Sequence, residues 1–506
     1  ISELFLNENN FENSGASHIA DIGSKVLGAP ITLEEIKVFG LSNNIYVKID
    51  TEGYEMVVLK GIEDLFKRKL IRKLVIEIDD ANHIIKNIRS VSNRIGILID
   101  TKGPEVRICE LESSFEVSKG QRLTISVSEN PNFGFMVNYE NFINEVPVGS
   151  DLLIDDGEIH LTVDSKKNNE LICTATNNGE IKNKKSVNVP GVNLQMPSLT
   201  KKDAEFINWA ANNEVEFIAH SFVRNIQDVM AVQKILDEND SPIKIIAKIE
   251  NQEGINNLES ILDGTYGIMV ARGDLGIEVP AEDVPNLQKM MIQTAIKRVK
   301  PVITATQMLH SMIDNPRPTR AEVSDVANAI YDGTDALMLS GETAYGNYAV
   351  EAVETMSKIA QKVEVERGTL DGLLPVFQQN ASLMSRNFIS KAGVQLACEL
   401  NAKVIITSTV SGDTAQICSS YRGRTPIVAY SGSPRVVKEL SLSYGVYAEC
   451  IDVPRQCAAL VKKTVSMLLD EGVLLPDDMV CYIGGGQVKA KHTNLLQLDT
   501  ASTLIK

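Results

Sequence analysis

No run of apolar residues in this chain approaches the ~18–20 needed to cross a bilayer as a helix, which excludes such a span. No stretch at its start joins a basic, an apolar and a small-residue region, so no secretory signal is expected. Cys-x-x-Cys spacing is missing as well. The seven cysteines, at 109, 173, 398, 418, 450, 457 and 481, are scattered and odd in number, which fits a reduced, cytoplasmic compartment. Positive charge is in short supply: 50 Lys and Arg face 66 Asp and Glu, for a net charge of −16. That balance argues against a nucleic-acid backbone as partner. It leaves a phosphorylated substrate open, because local cations and metal ions decide that contact. There is no short repeat and no low-complexity tract. What is present is ordinary for a globular protein: 506 residues, 43% hydrophobic and 23% charged. At roughly 100–200 residues per domain, three or four domains are expected.

From residue 204 to about 363, short β-rich runs alternate with segments of helical period. The runs are VEFIAHSF (215–222), IKIIAKIE (243–250), GIMVARGDLG (267–276), PVITATQM (301–308) and DALMLSGE (335–342). Near-continuous apolar runs of this kind are parallel strands buried on both faces. Polar residues follow each run, where a (β/α)8 TIM barrel places its chemistry. Residues 104–199 differ: short alternating strands such as RLTISVS (122–128) and ELICTATN (170–177) lie between turn clusters, which reads as an inserted all-β domain. An insertion after a barrel strand sits over the active face, so it is expected to be a lid. After a polar linker, KVIITSTV, PIVAYSG and MVCYIGGG are again buried-type strands. The fold class is thus α/β. The barrel spans 94–103 and 200–365, the β-barrel lid 104–199 and a C-terminal α/β domain 380–506. Residues 1–93 form an atypical N-terminal segment.

Lys248 and Glu250 lie two apart in a strand and point the same way. Charged side chains are almost never fully buried without partners, so a structural ion pair and a catalytic pair are equally good readings here. Asp274, after the run GIMVAR, shifts the balance. Glu250 and Asp274 at successive strand ends could hold one Mg²⁺, which binds through one or two carboxylates plus substrate oxygens. Gly273 lets a substrate approach bare backbone N–H groups. Lys248 could then neutralise a transferring phosphoryl group or an enolate. The plainer reading of Asp274 is a helix N-cap. Thr306, at the next strand end, could relay a proton to carbon, although periodicity alone favours an ordinary β-branched strand residue.

The stretches IDTKGPEVRI (99–108), IIAKIENQEGI (245–255), IMVARGDLGIEVP (268–280) and TATQMLHSMIDNPRPTRAEVSDVANAIYDGTDALMLSGETA (304–344) resemble the pyruvate kinase family, in order, over residues ~94–506. The resemblance implies phosphoryl transfer from phosphoenolpyruvate to ADP, giving pyruvate and ATP, in a homotetramer. It implies catalytic roles for Lys248, Thr306 and Arg272, and substrate contacts from Lys248, Gly273, Asp274 and Thr306. It implies Mg²⁺ (or Mn²⁺) on Glu250 and Asp274, and K⁺ on Asp100 and Thr101. Glu105 is the residue type of potassium-dependent members. Arg107 and Lys185 match contacts to nucleotide phosphates, and LIDDGEIHL (153–161) marks the centre of the mobile lid.

The first two strands of the family's barrel, which carry a phosphate-binding arginine and two further potassium ligands, have no counterpart in this sequence. In their place NIYVKIDTEGYEMVVLKGIEDLFKRKLIRKLVIEI (44–78), within residues ~30–80, resembles a fragment of an FkbM-type methyltransferase, without that family's Gly-rich cofactor loop. Strands are expected at 45–50 and 73–78, with helices at 53–69 and from about 82. That order closes the barrel geometrically but not chemically. It offers Asp50, Glu52, Glu77 and Asp79 where the family has Arg, Asn and Ser. Carboxylates there would repel a phosphate by kcal/mol-scale terms at an effective dielectric of ~20. A catalytically impaired homologue, or a fusion of two gene models, is therefore the alternative. In the C-terminal domain, Thr409, Ser411, Gly412 and Thr414 form a hydroxyl-rich loop that resembles a sugar-phosphate effector loop, with Asp413 where a basic residue stands in animal-type enzymes. An ordinary Ser/Thr helix cap is an even alternative.

Overall fold

The computed structural model describes residues 45–49, 71–76, 81–128, 131, 133–367, 381–454, 456–485 and 493–506. Eight parallel strands close a ring: β1 (Ile45–Ile49), β2 (Ile71–Ile76), β3 (Gly96–Asp100), β4 (Phe217–His220), β5 (Lys244–Ile249), β6 (Gly267–Ala271), β7 (Val302–Ala305) and β8 (Ala336–Leu339). β1 pairs with both β8 and β2, and β2 with β3, so the ring closes through the segment that replaces the family's first strands. The strand expected at 73–78 starts and ends two residues earlier. The expected helix at 53–69 and Asp50, Glu52, Glu77 and Asp79 lie outside the described residues.

Strands β3, β4, β6, β7 and β8 are buried at every position, which is what parallel strands under a helical layer require. Leu98, Phe217, Ala219, Ile246, Met269, Ile303, Ala305, Ala336 and Met338 make one inner cluster, joined by Leu442 of the C-terminal domain. Alternate residues such as Ile97, Ile218, Ile245 and Val270 pack into the larger core that the helices share. Between β3 and β4 the chain builds the inserted domain: a seven-stranded sheet, a two-stranded sheet and a core around Ile125, Phe135, Leu161 and Leu171. The C-terminal domain has a five-stranded sheet with Val404–Ser408 at its centre. Its neighbours are parallel except Leu495–Thr500, which runs antiparallel at the edge. All seven cysteines are free thiols; burial pushes those of Cys173, Cys418 and Cys481 up to about 12. Among the described residues no helix is long and apolar enough to cross a membrane.

Candidate active site

The ends of β3 to β7 meet at one mouth of the barrel. Lys248, on β5, places its Nζ 3.2 Å from Asp100 Oδ2, 3.0 Å from Glu250 Oε1 and 2.9 Å from Ser221 Oγ. Burial works against the charge of this ammonium. The carboxylates of Asp100, Glu250 and Asp274 outweigh burial and hold its pKa above the usual lysine range. Glu250 has no exposed side-chain surface. Burial pushes its carboxyl up to about 7, against the pull of Lys248 and with the help of the negative charge on Asp274. Its Oε2 accepts the Phe222 N–H at 2.6 Å; its Oε1, beside Lys248, receives no aligned hydrogen bond. A buried carboxylate oxygen left this way fits a cation better than it fits the core. Asp274, half-buried after β6, acts electrostatically on both Lys248 and Glu250.

Thr306 is joined to the same group. Its Oγ accepts the Gly273 N–H at 2.8 Å and donates to Ala305 O at 2.7 Å. Thr306 and the following Gln307 have φ of 68° and 53°, a left-handed conformation that costs a β-branched residue dearly. Arg272 holds the strained turn. Its Nη2 donates to Thr306 O at 2.6 Å, its Nε to Ala305 O at 3.3 Å, and its Nη1 reaches both Asp325 oxygens at 2.8 and 2.7 Å. Arg272, for which the family resemblance implies a catalytic role, thus bonds to two backbone carbonyls at the Thr306 turn and to a carboxylate. Phe222, whose N–H serves Glu250, is also left-handed, with φ of 55°.

Ser221 was not singled out from the sequence. Its Oγ donates to Thr101 O at 2.6 Å, lies 3.4 Å from Asp100 Oδ1, and accepts from Lys248. The only sequence signal was its place just after a barrel strand. Asp100 and Thr101 are buried beside it, and Thr101 Oγ accepts the Ser221 N–H at 3.1 Å. Arg107 and Lys185 lie on the inserted domain. There Arg107 pairs with Glu105 at 2.6 Å and donates to Lys184 O, and Lys185 pairs with Asp155 at 2.8 Å. A cavity of about 120 Å³ separates that domain from the barrel. Arg224, Asp274 and Glu278 line it from below, and Glu105, Asp156 and Asn188 from above. Burial pushes Glu278 up to about 7; a hydrogen bond from Asn188 opposes this and Asp274 adds to it.

The C-terminal loop is held together from within. Thr409 Oγ accepts the Gly412 N–H at 2.8 Å, Thr414 Oγ lies 2.9 Å from Thr493 Oγ, and Asp413 pairs with Arg386 at 2.9 Å. Gly412 has φ of 93°, a conformation glycine adopts without strain. Ser411 is exposed.

Residues 76–353 match the family described as pyruvate kinase, barrel domain, and residues 387–498 match pyruvate kinase, alpha/beta domain. The chain belongs to the pyruvate kinase family. The pyruvate kinase of Borreliella burgdorferi is 48% identical over 434 residues, covering 85% of this chain and 90% of that protein. That of Clostridium acetobutylicum is 40% identical over 433 residues, covering 83% and 91%. A crystal structure of a pyruvate kinase from Cryptosporidium parvum superposes with a TM-score of 0.83 at 31% identity, over 94% of this chain and 99% of that one. As a pyruvate kinase, the chain is a phosphotransferase that passes the phosphoryl group of phosphoenolpyruvate to ADP, yielding pyruvate and ATP.

Proposed function

We propose that this transfer takes place at the barrel mouth around Lys248. The observation that carries the reading is the Lys248 ammonium, held permanently charged among Asp100, Glu250 and Ser221 within electrostatic reach of Asp274. Phosphoryl transfer is mostly positioning and charge neutralisation. Lys248 neutralises the phosphoryl group in flight and the enolate left behind. Gly273, Asp274 and Thr306 contact the substrate, and Arg107 and Lys185 contact the nucleotide phosphates from the lid. Glu250 and Asp274 are the residues that would hold Mg²⁺ or Mn²⁺, and Asp100 and Thr101 those that would hold K⁺. Bound there, such ions supply positive charge to oxygens that gain negative charge in the transition state. For the loop after Val404–Ser408 the same reading gives a phosphate-bearing effector, held by Ser411 and the N–H groups that begin helix Asp413–Ser420. Arg386 offsets the charge of Asp413. The assembly is a homotetramer in the cytoplasm.

The test is phosphoenolpyruvate-dependent ATP formation by the full chain with Mg²⁺ and K⁺. Turnover that vanishes on chelation supports the reading. One observation favours a second reading, an impaired enzyme: β1 and β2 carry IYVKI and IRKLVI, without the Asn and Ser that complete the family's potassium site. Activity that is weak and unresponsive to K⁺ would decide for it. Methyl transfer forms no part of this proposal, because the described portions of residues 30–80 are built into the barrel ring.

The metal site carries a pH signature. Glu250 must ionise to ligate a cation, and its carboxyl sits at about 7. Below that value protons compete with the metal, so Mn²⁺ affinity falls by up to about tenfold per pH unit; above it the affinity levels off. Electron-spin titration of Mn²⁺ at pH 6, 7 and 8 measures the slope. A Glu250→Gln variant binds weakly at every pH, and a flat wild-type profile would remove Glu250 from the ligand set.

A further inference from the structure

Two stretches of chain join the inserted domain to the barrel. The outgoing one, residues 101–106, and the returning one, residues 190–200, form neither helix nor strand. Each contains one glycine in the left-handed region, Gly103 at φ 73° and Gly191 at φ 74°. Backbone without a ladder, bent at glycine, turns easily. One buried side chain holds both stretches. Asp203, in the first turn of helix Lys201–Ala211 and 4% exposed, accepts the Lys102 N–H on Oδ1 at 3.0 Å. Its Oδ2 accepts the Thr200 N–H at 3.1 Å and the Thr200 hydroxyl at 2.6 Å. A capping box explains the Oδ2 contacts, since Thr200 also accepts the Asp203 N–H. It does not explain Oδ1, which reaches across to the other stretch. Arg224 adds a second hold on the returning stretch alone, through Leu194 O at 3.1 Å, with its other nitrogens fixed by Asp228. The pivot abuts the active site: a side chain at Gly103 would meet the Phe222 ring at 2.8 Å, and the Phe222 N–H serves Glu250.

We propose that Asp203 is a positioning residue that pins the hinge of the lid, so that the lid can bring its nucleotide contacts over the barrel mouth. This rests on the reading of the inserted domain as a lid that carries Arg107 and Lys185 to ADP. An unpinned lid spends less time in the orientation that binds ADP, and apparent affinity falls by that fraction. Phosphoenolpyruvate, held by the barrel, is not affected. The capping role and the pinning role separate cleanly by substitution. Asp203→Glu keeps a capping box, which favours Glu at this position, but carries the carboxylate a methylene away from Lys102. Thr200→Ala removes the cap and keeps the Lys102 contact.

The full-length enzyme is compared as wild type, Asp203→Glu and Thr200→Ala. In Asp203→Glu, KM for ADP rises about tenfold, with kcat and KM for phosphoenolpyruvate within about twofold. Amide exchange across residues 101–106 and 190–200 is faster in this variant and is less slowed by Mg-ADP. Thr200→Ala melts earlier but keeps the wild-type KM for ADP. Wild-type KM in Asp203→Glu, or the same KM rise in both variants, overturns the pin and leaves the lid reading standing. Wild-type exchange in both stretches that ignores Mg-ADP and phosphoenolpyruvate together overturns the lid reading itself, and the pin with it.

Discussion

Lys248→Met lowers kcat by about a thousandfold or more, with a much smaller change in the KM for ADP. The magnitude follows from what Lys248 does: removing one preorganised group that stabilises transition-state charge in a water-poor site costs about 10²–10³ in rate. Lys248 adds a second loss, because its ammonium lies between two buried carboxylates, Asp100 at 3.2 Å and Glu250 at 3.0 Å. Without it, those groups and Asp274 repel one another and repel an incoming phosphate. Methionine has nearly the same length and fills the same space, so the barrel keeps its packing. Glu250, already at about 7 in the intact site, takes up a proton when its countercharge goes, which spares the fold the full cost of an unpaired buried charge. Steady-state kinetics with a thermal melt of the same sample measures both effects. Folded Lys248→Met with turnover within tenfold of wild type would move the chemistry elsewhere.

The local part of this architecture was legible in the sequence. Runs such as GIMVAR and PVITA are apolar at every position because both faces of a barrel strand are covered, and the polar residues after them mark the mouth. Lys248 and Glu250 were visible because two charges on one face of a strand demand an explanation. Residues whose roles depend on partners distant in the chain were not legible. Ser221 touches Asp100, 121 positions away, and Asp203 reaches Lys102, 101 positions away. For Arg272 the sequence offered only the role implied by the family resemblance. Its partners, Thr306 O and Asp325, lie on β7's loop and on helix Arg320–Asp332, and no local pattern names them. The ring closure by β1 and β2 was legible only as an element order, since their residues share no motif with the strands they replace.

The largest loss of stability is expected far from the chemistry, at the junction of barrel and C-terminal domain. Arg422, 2% exposed, pairs through Nη2 with Asp335 Oδ2 at 2.6 Å and donates to Gly333 O and Ser419 O. Its guanidinium stacks 5.2 Å from the Tyr444 ring. Asp335 precedes β8, at the end of the barrel opposite the catalytic mouth, and also accepts the N–H groups of Val302 and Tyr444. Arg422→Met takes the guanidinium at 2.6 Å away from a buried carboxylate, which costs about 3–5 kcal/mol. The sign of the pH dependence identifies the cause. Burial already raises the pKa of Asp335 above its ordinary 3.8, and Arg422 pulls it back. Without Arg422 the folded pKa climbs further, so the folded state binds a proton that the unfolded state releases above about 4. Stability in the variant is then fullest at low pH and is lost as pH rises through the folded pKa, so the deficit against wild type shrinks from pH 7.5 to pH 5. The double variant Arg422→Met, Asp335→Asn recovers part of the loss, because a neutral amide needs no countercharge and its oxygen still accepts a backbone N–H. Urea unfolding of the three proteins at both pH values measures this. A deficit that is the same at pH 5 and pH 7.5, and that the double variant does not repair, would make Arg422 a packing residue and place the clasp between the domains in its contacts with Gly333, Ser419 and Tyr444.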